Sequence, residues 1–301
     1  MVEPRAVGWV WWGCMLAVTV VNVGLLVSAL LPLRREPELG SQKMRPRAEQ
    51  VTLRVAAVIF TVVCGYRAIL PRIDVPRICW FDSPLNWIIF GRLAATLAEV
   101  AWATQMGLQL RRVANCLRGP HSLRPGGAGL RAEAAARAEV VGSAAIVLAC
   151  IAECCSWTNL ITENNLFAVF EQALWAVLFV LIGGHTLRVV QSWPQRPTSY
   201  MIFAVIVLGM GLEQAFEAFG LYLPRYLADQ AHGVRYEGFS SGLSRLASCA
   251  NVSQDIHDWS SDAPWMTGYF SLGVWSSIWL AVAPLPPASN VLTAQASLSS
   301  G

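Results

Sequence analysis

Long apolar runs alternate with short polar segments along almost the whole chain. An α-helix needs roughly 20 mostly apolar residues to cross the hydrocarbon core of a bilayer, and seven of these runs are of about that length or longer. They lie at about 8–33, 51–70, 86–110, 140–160, 165–189, 200–223 and 265–283. The pattern predicts an all-α, polytopic integral membrane protein folded as a seven-transmembrane helix bundle.

Composition agrees with this interpretation. Of the 301 residues, 55% are apolar and only 14% are charged, whereas about 25% of the residues of a soluble domain are charged. The first run could also be a cleaved signal peptide. Its length far exceeds the 7–15-residue core of such a peptide, however, and no A-x-A cleavage site closes it. We therefore interpret the first run as a span.

The loops differ in positive charge, and this difference predicts the orientation. Most of the 22 lysines and arginines lie in or beside the loops 34–50, 111–138 and 190–199, on one side of the predicted bundle. Because short loops rich in Lys and Arg stay in the cytoplasm, the N-terminus is predicted to be outside or lumenal and the C-terminus cytoplasmic. The outer helix ends would carry an aromatic belt of Trp9, Trp11, Trp12, Trp80, Trp87, Trp259 and Trp265.

One transmembrane domain is predicted for residues 1–284, followed by a disordered cytoplasmic tail at 285–301. The outer loop 224–264 is the largest predicted connection on its side, and its first residues are expected to form a short interfacial helix. The net charge of +3 is too small and too scattered for a nucleic-acid partner. The expected partners are the lipid bilayer, of the plasma membrane or an endomembrane, and an unidentified small molecule or lipid. Protein partners are not indicated.

Five glutamates and two arginines interrupt the apolar runs. A charged side chain costs about 2.5–3.5 kcal/mol at the centre of a span, so such groups usually face one another, water or a ligand. Counting 1.5 Å per residue from the helix ends places all seven between the midplane and the outer interface. The candidate catalytic or ligand-binding residues are Glu99, Glu153, Glu171, Glu213, Glu217, Arg67 and Arg92, with Trp157 and Trp175 beside them.

Helical spacing groups these residues on shared faces. The grouped pairs are Arg92–Glu99, Glu213–Glu217, Glu153–Trp157 and Glu171–Trp175. We expect the two Glu–Trp pairs to line one pocket from adjacent antiparallel helices, with Arg67 and Arg92 as partners of the glutamates. Three charged residues of the outer loop between the second and third predicted spans are candidates for the rim of that pocket: Arg72, Asp74 and Arg77.

Two further features of the predicted outer loops suit an oxidising compartment. Cys79 and Cys249 are the cysteines found in these loops, and a disulfide between them would join two distant parts of the chain. Asn251 begins an Asn-Val-Ser glycosylation sequon on the same side. Both features agree with the predicted orientation.

Missing motifs restrict the function. No lysine occurs in any predicted span, so a retinal Schiff base is excluded, and neither a P-loop nor an H-E-x-x-H motif is present. Cys150 and Cys154 flank Glu153, but a cysteine in a membrane helix generally behaves as a small apolar residue. No metal and no cofactor are therefore predicted.

Four functions remain open. Buried carboxylates beside tryptophans suit an intramembrane enzyme that acts on a lipid or isoprenoid, which is the leading hypothesis. The same carboxylates could serve a proton- or cation-coupled transporter, or Arg–Glu pairs could simply hold the helices together. The seven-span topology also resembles that of heptahelical receptors. The third span, however, ends in QLRRVAN without an Asp-Arg-Tyr-like motif, and the seventh lacks Asn-Pro-x-x-Tyr.

Overall fold

The computed structural model describes residues 3–31, 47–117, 128–191 and 197–283. The first six helices are α1 Pro4–Leu30, α2 Arg47–Ile69, α3 Ile88–Leu117, α4 Ala128–Thr162, α5 Asn165–Gln191 and α6 Thr198–Phe216. They are followed by α7 Leu223–Ala231, α8 Phe239–Arg245, α9 Ala263–Gly268 and α10 Val274–Val282. Short π-helical turns at Glu217–Tyr222 and Tyr269–Gly273 join α6 to α7 and α9 to α10.

Five helices in the described ranges are long and apolar enough to cross a membrane: those at 4–30, 48–69, 133–162, 165–191 and 198–231. The prediction of a helical membrane protein is confirmed in this form. Neither α3, which carries the buried Arg92 and the partly buried Glu99, nor the α9–α10 stretch belongs to these five. The predicted tail 285–301 and most of the basic loop 34–50 lie outside the described residues.

The end of the sixth predicted span differs from the expectation. No separate interfacial helix follows it, because α6 continues through the π-turn into α7 and ends at Ala231. Pro224 lies at the start of α7. Proline has no N–H to donate, and the wider π-turn before it accommodates this loss without ending the helix. The helix therefore projects about 12 Å beyond Leu223, at 1.5 Å per residue.

Helix α3 occupies the centre of the bundle, packed against α2, α4, α5 and α10. Its polar side chains bond to these neighbours. Gln105 donates to the carbonyl oxygens of Leu53 (2.7 Å) and Ser277 (3.2 Å) and accepts a bond from the Ser277 hydroxyl (2.5 Å). Since a buried amide must find partners inside the protein, this residue links three helices.

Glycines allow α3 and α4 to approach closely. A Cβ added at Gly107 would lie 2.3 Å from the carbonyl oxygen of Gly142, and one at Gly142 would lie 2.6 Å from that of Gly107. Small residues at a membrane helix interface serve this purpose, because they let the backbones touch.

We expect Gly107→Ala to lower the stability of the protein by about 1–3 kcal/mol, the usual penalty of overpacking, because backbone atoms are the obstacle. The matched control is Gly184→Ala on α5, where an added Cβ meets nothing within 4 Å. Thermal melting of the purified protein in detergent would compare the two variants. Equal melting temperatures would contradict the close contact between α3 and α4.

A small cap covers one end of the bundle. Strand β1 (Arg72–Ile73) pairs antiparallel with β2 (Ile78–Cys79), and β2 pairs parallel with β3 (Asn251–Val252). The predicted link between Cys79 and Cys249 is present, with their Cα atoms 5.9 Å apart. We call this end of the bundle the disulfide end. Asn251, the sequon residue, is exposed there.

Several of the tryptophans assigned to an aromatic belt instead form the core of the cap. Trp80 and Trp259 are completely buried, with their ring centroids 5.2 Å apart. Trp11 packs against both rings and donates its indole N–H to Thr267 (3.1 Å). The belt interpretation was wrong for the two buried residues because the loops fold back over the helix ends, so their tryptophans meet protein and not lipid.

Candidate functional site

A cavity of about 450 Å³ lies among α2, α3, α4, α5, α6 and α9, below the cap at the disulfide end. This volume is in the range of small-molecule sites. Most of the candidate residues taken from the sequence line it: Arg67, Arg92, Glu99, Glu171, Trp175, Glu213 and Glu217, with Arg72 and Asp74 from the expected rim. The structure thus brings together side chains from helices that are far apart in the sequence.

Arg92 is the centre of the charge network. Its Nη2 atom lies 2.9 Å from Glu99 and 2.5 Å from Glu153, and its Nη1 atom lies 3.8 Å from Glu171 and 4.0 Å from Asp74. The predicted pairing of Arg92 with Glu99, two helical turns along α3, is confirmed. One guanidinium therefore faces four carboxyl groups, which leaves the network with an excess of potential negative charge.

Glu153 and Trp157 lie behind the cavity wall. Thr96 connects them, because its hydroxyl donates to Glu153 (2.5 Å) and accepts a bond from the Trp157 indole N–H (3.0 Å). Glu153 is buried, and neither residue lines the cavity. Glu153 therefore holds Arg92 from outside the cavity lining, and Trp157 supports Glu153 through Thr96.

Arg67 does not pair with the glutamates, in contrast to the expectation. Its side chain lines the cavity and is only 5% exposed, yet within the described residues no carboxylate lies within 4.0 Å of it and no hydrogen bond to it is formed. Its contacts are with the rings of Trp265 and Phe270, both 5.9 Å from Cζ. Burial without an ionic partner is costly for a guanidinium.

Arg72 and Arg77 have different roles from those of simple rim charges. Arg72 is fully buried in the cap and donates to Tyr66 (3.3 Å) and to the Trp87 carbonyl (3.2 Å). Burial lowers the pKa of this guanidinium, and nearby Arg67 lowers it further. Arg77 does not line the cavity. It is buried under the cap, where it pairs with Glu163 at 2.9 Å.

A second acidic group lines the side of the cavity opposite α3. It consists of Glu213, Glu217 and Asp262, which we call the acidic wall. The first two lie one helical turn apart and are close enough for their carboxyl groups to interact. Asp262, which precedes α9, accepts a hydrogen bond from the Trp265 indole (3.1 Å). Among the described residues no arginine lies within 4.0 Å of the acidic wall.

Polarity changes in the same direction along α3, α5, α6 and the last helix, a name we use for the continuous stretch from α9 to α10 (Ala263–Val282). On α5 the order from the disulfide end is Glu171, Trp175, Phe179. Asp262 lies just before the last helix, and Trp265 and Leu272 follow on that helix. On α6 the carboxylates come first and Met210, Gly209 and Ile206 lie deeper. The α5 residues that line the cavity run from Glu171 to Phe179, so the cavity extends about 12 Å along this helix at 1.5 Å per residue. It is polar at the disulfide end and apolar below.

The cavity is bordered by a gap between α6 and the last helix. The backbones of these helices hardly approach each other, and they meet deeper in the bundle through Tyr200 and Phe203, which pack against Trp279 with centroids 4.9 and 5.3 Å apart. Nearer the disulfide end, two exposed residues, Gly209 and the 45%-exposed Leu272, line the cavity. The gap therefore faces sideways, away from the centre of the helix bundle.

Sequence reasoning missed several residues that line the cavity. Asp262 falls outside the predicted spans, and Tyr222 lies at the outer end of the sixth span without a charge to mark it, so neither was grouped with the intramembrane glutamates. Trp265 and Tyr269 lie three and seven residues after Asp262, a helical spacing that could have marked them as its neighbours. Tyr269 carries a buried hydroxyl with no hydrogen-bond partner in the described structure.

Comparisons with protein-family models, curated proteins and solved structures give no match to this chain. In the described ranges, no group of three or more His, Cys, Asp or Glu side chains has an arrangement that could hold a metal ion. The chemical groups that line the cavity are carboxyl, guanidinium, amide, hydroxyl and aromatic groups.

Proposed function

We propose that this protein takes an amphipathic, lipid-class molecule from the bilayer into the cavity and processes it there, as an intramembrane enzyme with glutamates as general acid or base. The polarity order along the helices carries the proposal. A polar end below the cap and an apolar end deeper in the bundle match a lipid whose head lies at the interface and whose chain lies in the hydrocarbon.

The gap between α6 and the last helix supports a sideways route of access. A lipid could pass Gly209 and Leu272 without its chain leaving an apolar environment. Glu99 and Glu171 face the cavity next to the Arg92 network. Carboxyl groups held in different surroundings can take acid and base roles in one site, so these two are the proposed acid–base pair.

The proposal includes seven spans with the disulfide end outside or lumenal. Helix α3 would be the third span. Its charged residues leave it outside the five helices that are apolar enough to span a membrane by composition, but α2, α4, α5 and α10 pack around it, so these charges would be covered by protein. The stretch from Ala263 to Val282 would be the seventh. Glycosylation at exposed Asn251 would support this orientation.

A bulky side chain at Gly209 is expected to block access to the cavity. An added Cβ there meets nothing within 4 Å, so Gly209→Phe should fold normally and fill the gap. We expect lipid binding to weaken about tenfold or more, which corresponds to 1.4 kcal/mol per factor of ten. Native mass spectrometry of the purified protein with added phospholipid would measure the bound fraction.

The control for this experiment is Gly184→Phe, because Gly184 is equally open but does not line the cavity. It should retain lipid binding. Undiminished binding by Gly209→Phe would exclude the sideways route and with it the lipid hypothesis in this form.

Transport is the second candidate, favoured by the surplus of carboxyl groups over arginines in the cavity. A transporter would have to open the opposite end, where Trp279 packs against Tyr200 and Phe203. A thiol-specific reagent should then label a Phe203→Cys variant from the opposite side only when ligand is present. The enzyme hypothesis predicts no ligand-dependent labelling and a chemically altered lipid.

A further inference from the structure

The polar end of the cavity holds two opposite charges that do not neutralise each other. Arg67 lies near the end of α2. The acidic wall is formed by Glu213 of α6, by Glu217 at the start of the π-turn and by Asp262 just before α9. Trp265 lies between them: its ring is 5.9 Å from the Arg67 Cζ atom and its indole N–H bonds to Asp262 at 3.1 Å. One indole ring thus lies between Arg67 and Asp262.

The ring contacts of Arg67 leave its hydrogen-bonding capacity unused. A guanidinium has five N–H donors, and a cation–π contact satisfies none of them. The Nε atom is buried without a partner, whereas the two Nη atoms keep access to the cavity. A phosphate or carboxylate is the group that matches such a fork of donors.

The acidic wall has the complementary property. Glu213, Glu217 and Asp262 have no cation within 4.0 Å in the described part of the chain, and the indole of Trp265 is hydrogen-bonded to Asp262. Carboxylates next to an aromatic ring suit an ammonium group, which gains from both the charge and the ring face. A cation placed here would also relieve the repulsion between the neighbouring carboxylates.

We propose that the ligand has a zwitterionic head, with its phosphate or carboxylate on Arg67 and its ammonium group against Glu213, Glu217 and Asp262. This inference rests on the proposed function and narrows its substrate class. A purely anionic head would meet the acidic wall unfavourably, and a purely cationic head would leave Arg67 without a partner. A short zwitterion such as that of an ethanolamine or choline phospholipid spans the two subsites.

The test compares head groups on the purified full chain in a non-ionic detergent. The probes are dioctanoyl phosphatidylcholine, dioctanoyl phosphatidylglycerol, a dioctanoyl trimethylammonium lipid and water-soluble phosphocholine. We expect the zwitterionic lipid to bind about tenfold more tightly than either singly charged lipid, as the loss of one charged hydrogen bond implies. Phosphocholine should bind more weakly than its lipid, because it lacks the chain.

Two variants assign the subsites. Arg67→Gln should abolish the preference for the zwitterionic over the cationic lipid, and Glu217→Gln should weaken binding of both while leaving that of the anionic lipid unchanged or improved. Arg245→Gln, which removes an exposed arginine paired with Glu237, should leave all three affinities as they are.

The outcomes separate this inference from the proposed function. Lipids that bind regardless of head charge would overturn the zwitterion and leave lipid binding standing. Absence of binding by any lipid would overturn both. Equal or tighter binding of free phosphocholine would assign the site to a soluble zwitterion. A ring-packing role for Arg67 would appear as a lower melting temperature of ligand-free Arg67→Gln with unchanged head-group preference, and that result would also overturn the inference.

Discussion

Replacing Arg92 by methionine is expected to be the most destabilising single change in the charge network. The substitution would leave Glu99, Glu153 and Glu171 facing one another without a cation. Removing one partner of a buried ion pair typically costs 3–5 kcal/mol, because an uncompensated buried charge remains. Thermal melting in detergent should show a drop of this size in stability, or failure of the protein to accumulate.

The control restores the balance of charge. Adding Glu99→Gln and Glu153→Gln to Arg92→Met removes the two closest carboxylates, at 2.9 and 2.5 Å from the guanidinium. We expect the triple variant to recover much of the lost stability, because buried neutral groups are less costly than unpaired charges. A single Arg92→Met variant as stable as the native protein would show that the network does not hold these helices together.

The position of the charge network could be predicted because it depends mainly on depth and helical spacing. Arg92 and Glu99 lie two turns apart on one helix, so their pairing follows from α3 alone. Glu153 and Glu171 lie at compatible depths on neighbouring antiparallel helices. The isolation of Arg67 could not be predicted, because it depends on how α2 is rotated about its axis, and packing with other helices sets that rotation.

The helices that consist of long apolar runs could be predicted from the sequence. The cap could not be predicted, because it contains no such run. Trp80 and Trp259 were assigned to the membrane interface because Trp is common there. Their burial depends on three two-residue strands, of which β3 lies about 170 residues after the other two. The cystine beside these strands joins equally distant residues. No periodic pattern in a segment this short reports such pairing, so the prediction relied on residue type alone.

Breaking the cystine is expected to loosen the cap and weaken the site below it. The bond joins β2 to the segment just before β3 across a sequence separation of 170 residues. Loss of a native disulfide commonly lowers stability by about 2–4 kcal/mol, since the unfolded chain gains freedom. Cys249→Ser should therefore lower the melting temperature, and a reductant should do the same to the native protein but not to the variant.

Ligand affinity should fall together with stability in this variant. The β1–β2 turn carries Asp74, 4.0 Å from Arg92, and Arg72 from β1 lines the cavity, so a displaced cap would expose the polar end of the site to water. The control is Cys154→Ser, because Cys154 is a free cysteine exposed on α4. If reduction lowered the melting temperature while phospholipid binding stayed unchanged, the cap would be a structural clamp only, and the ligand head would have to be held by the helices alone.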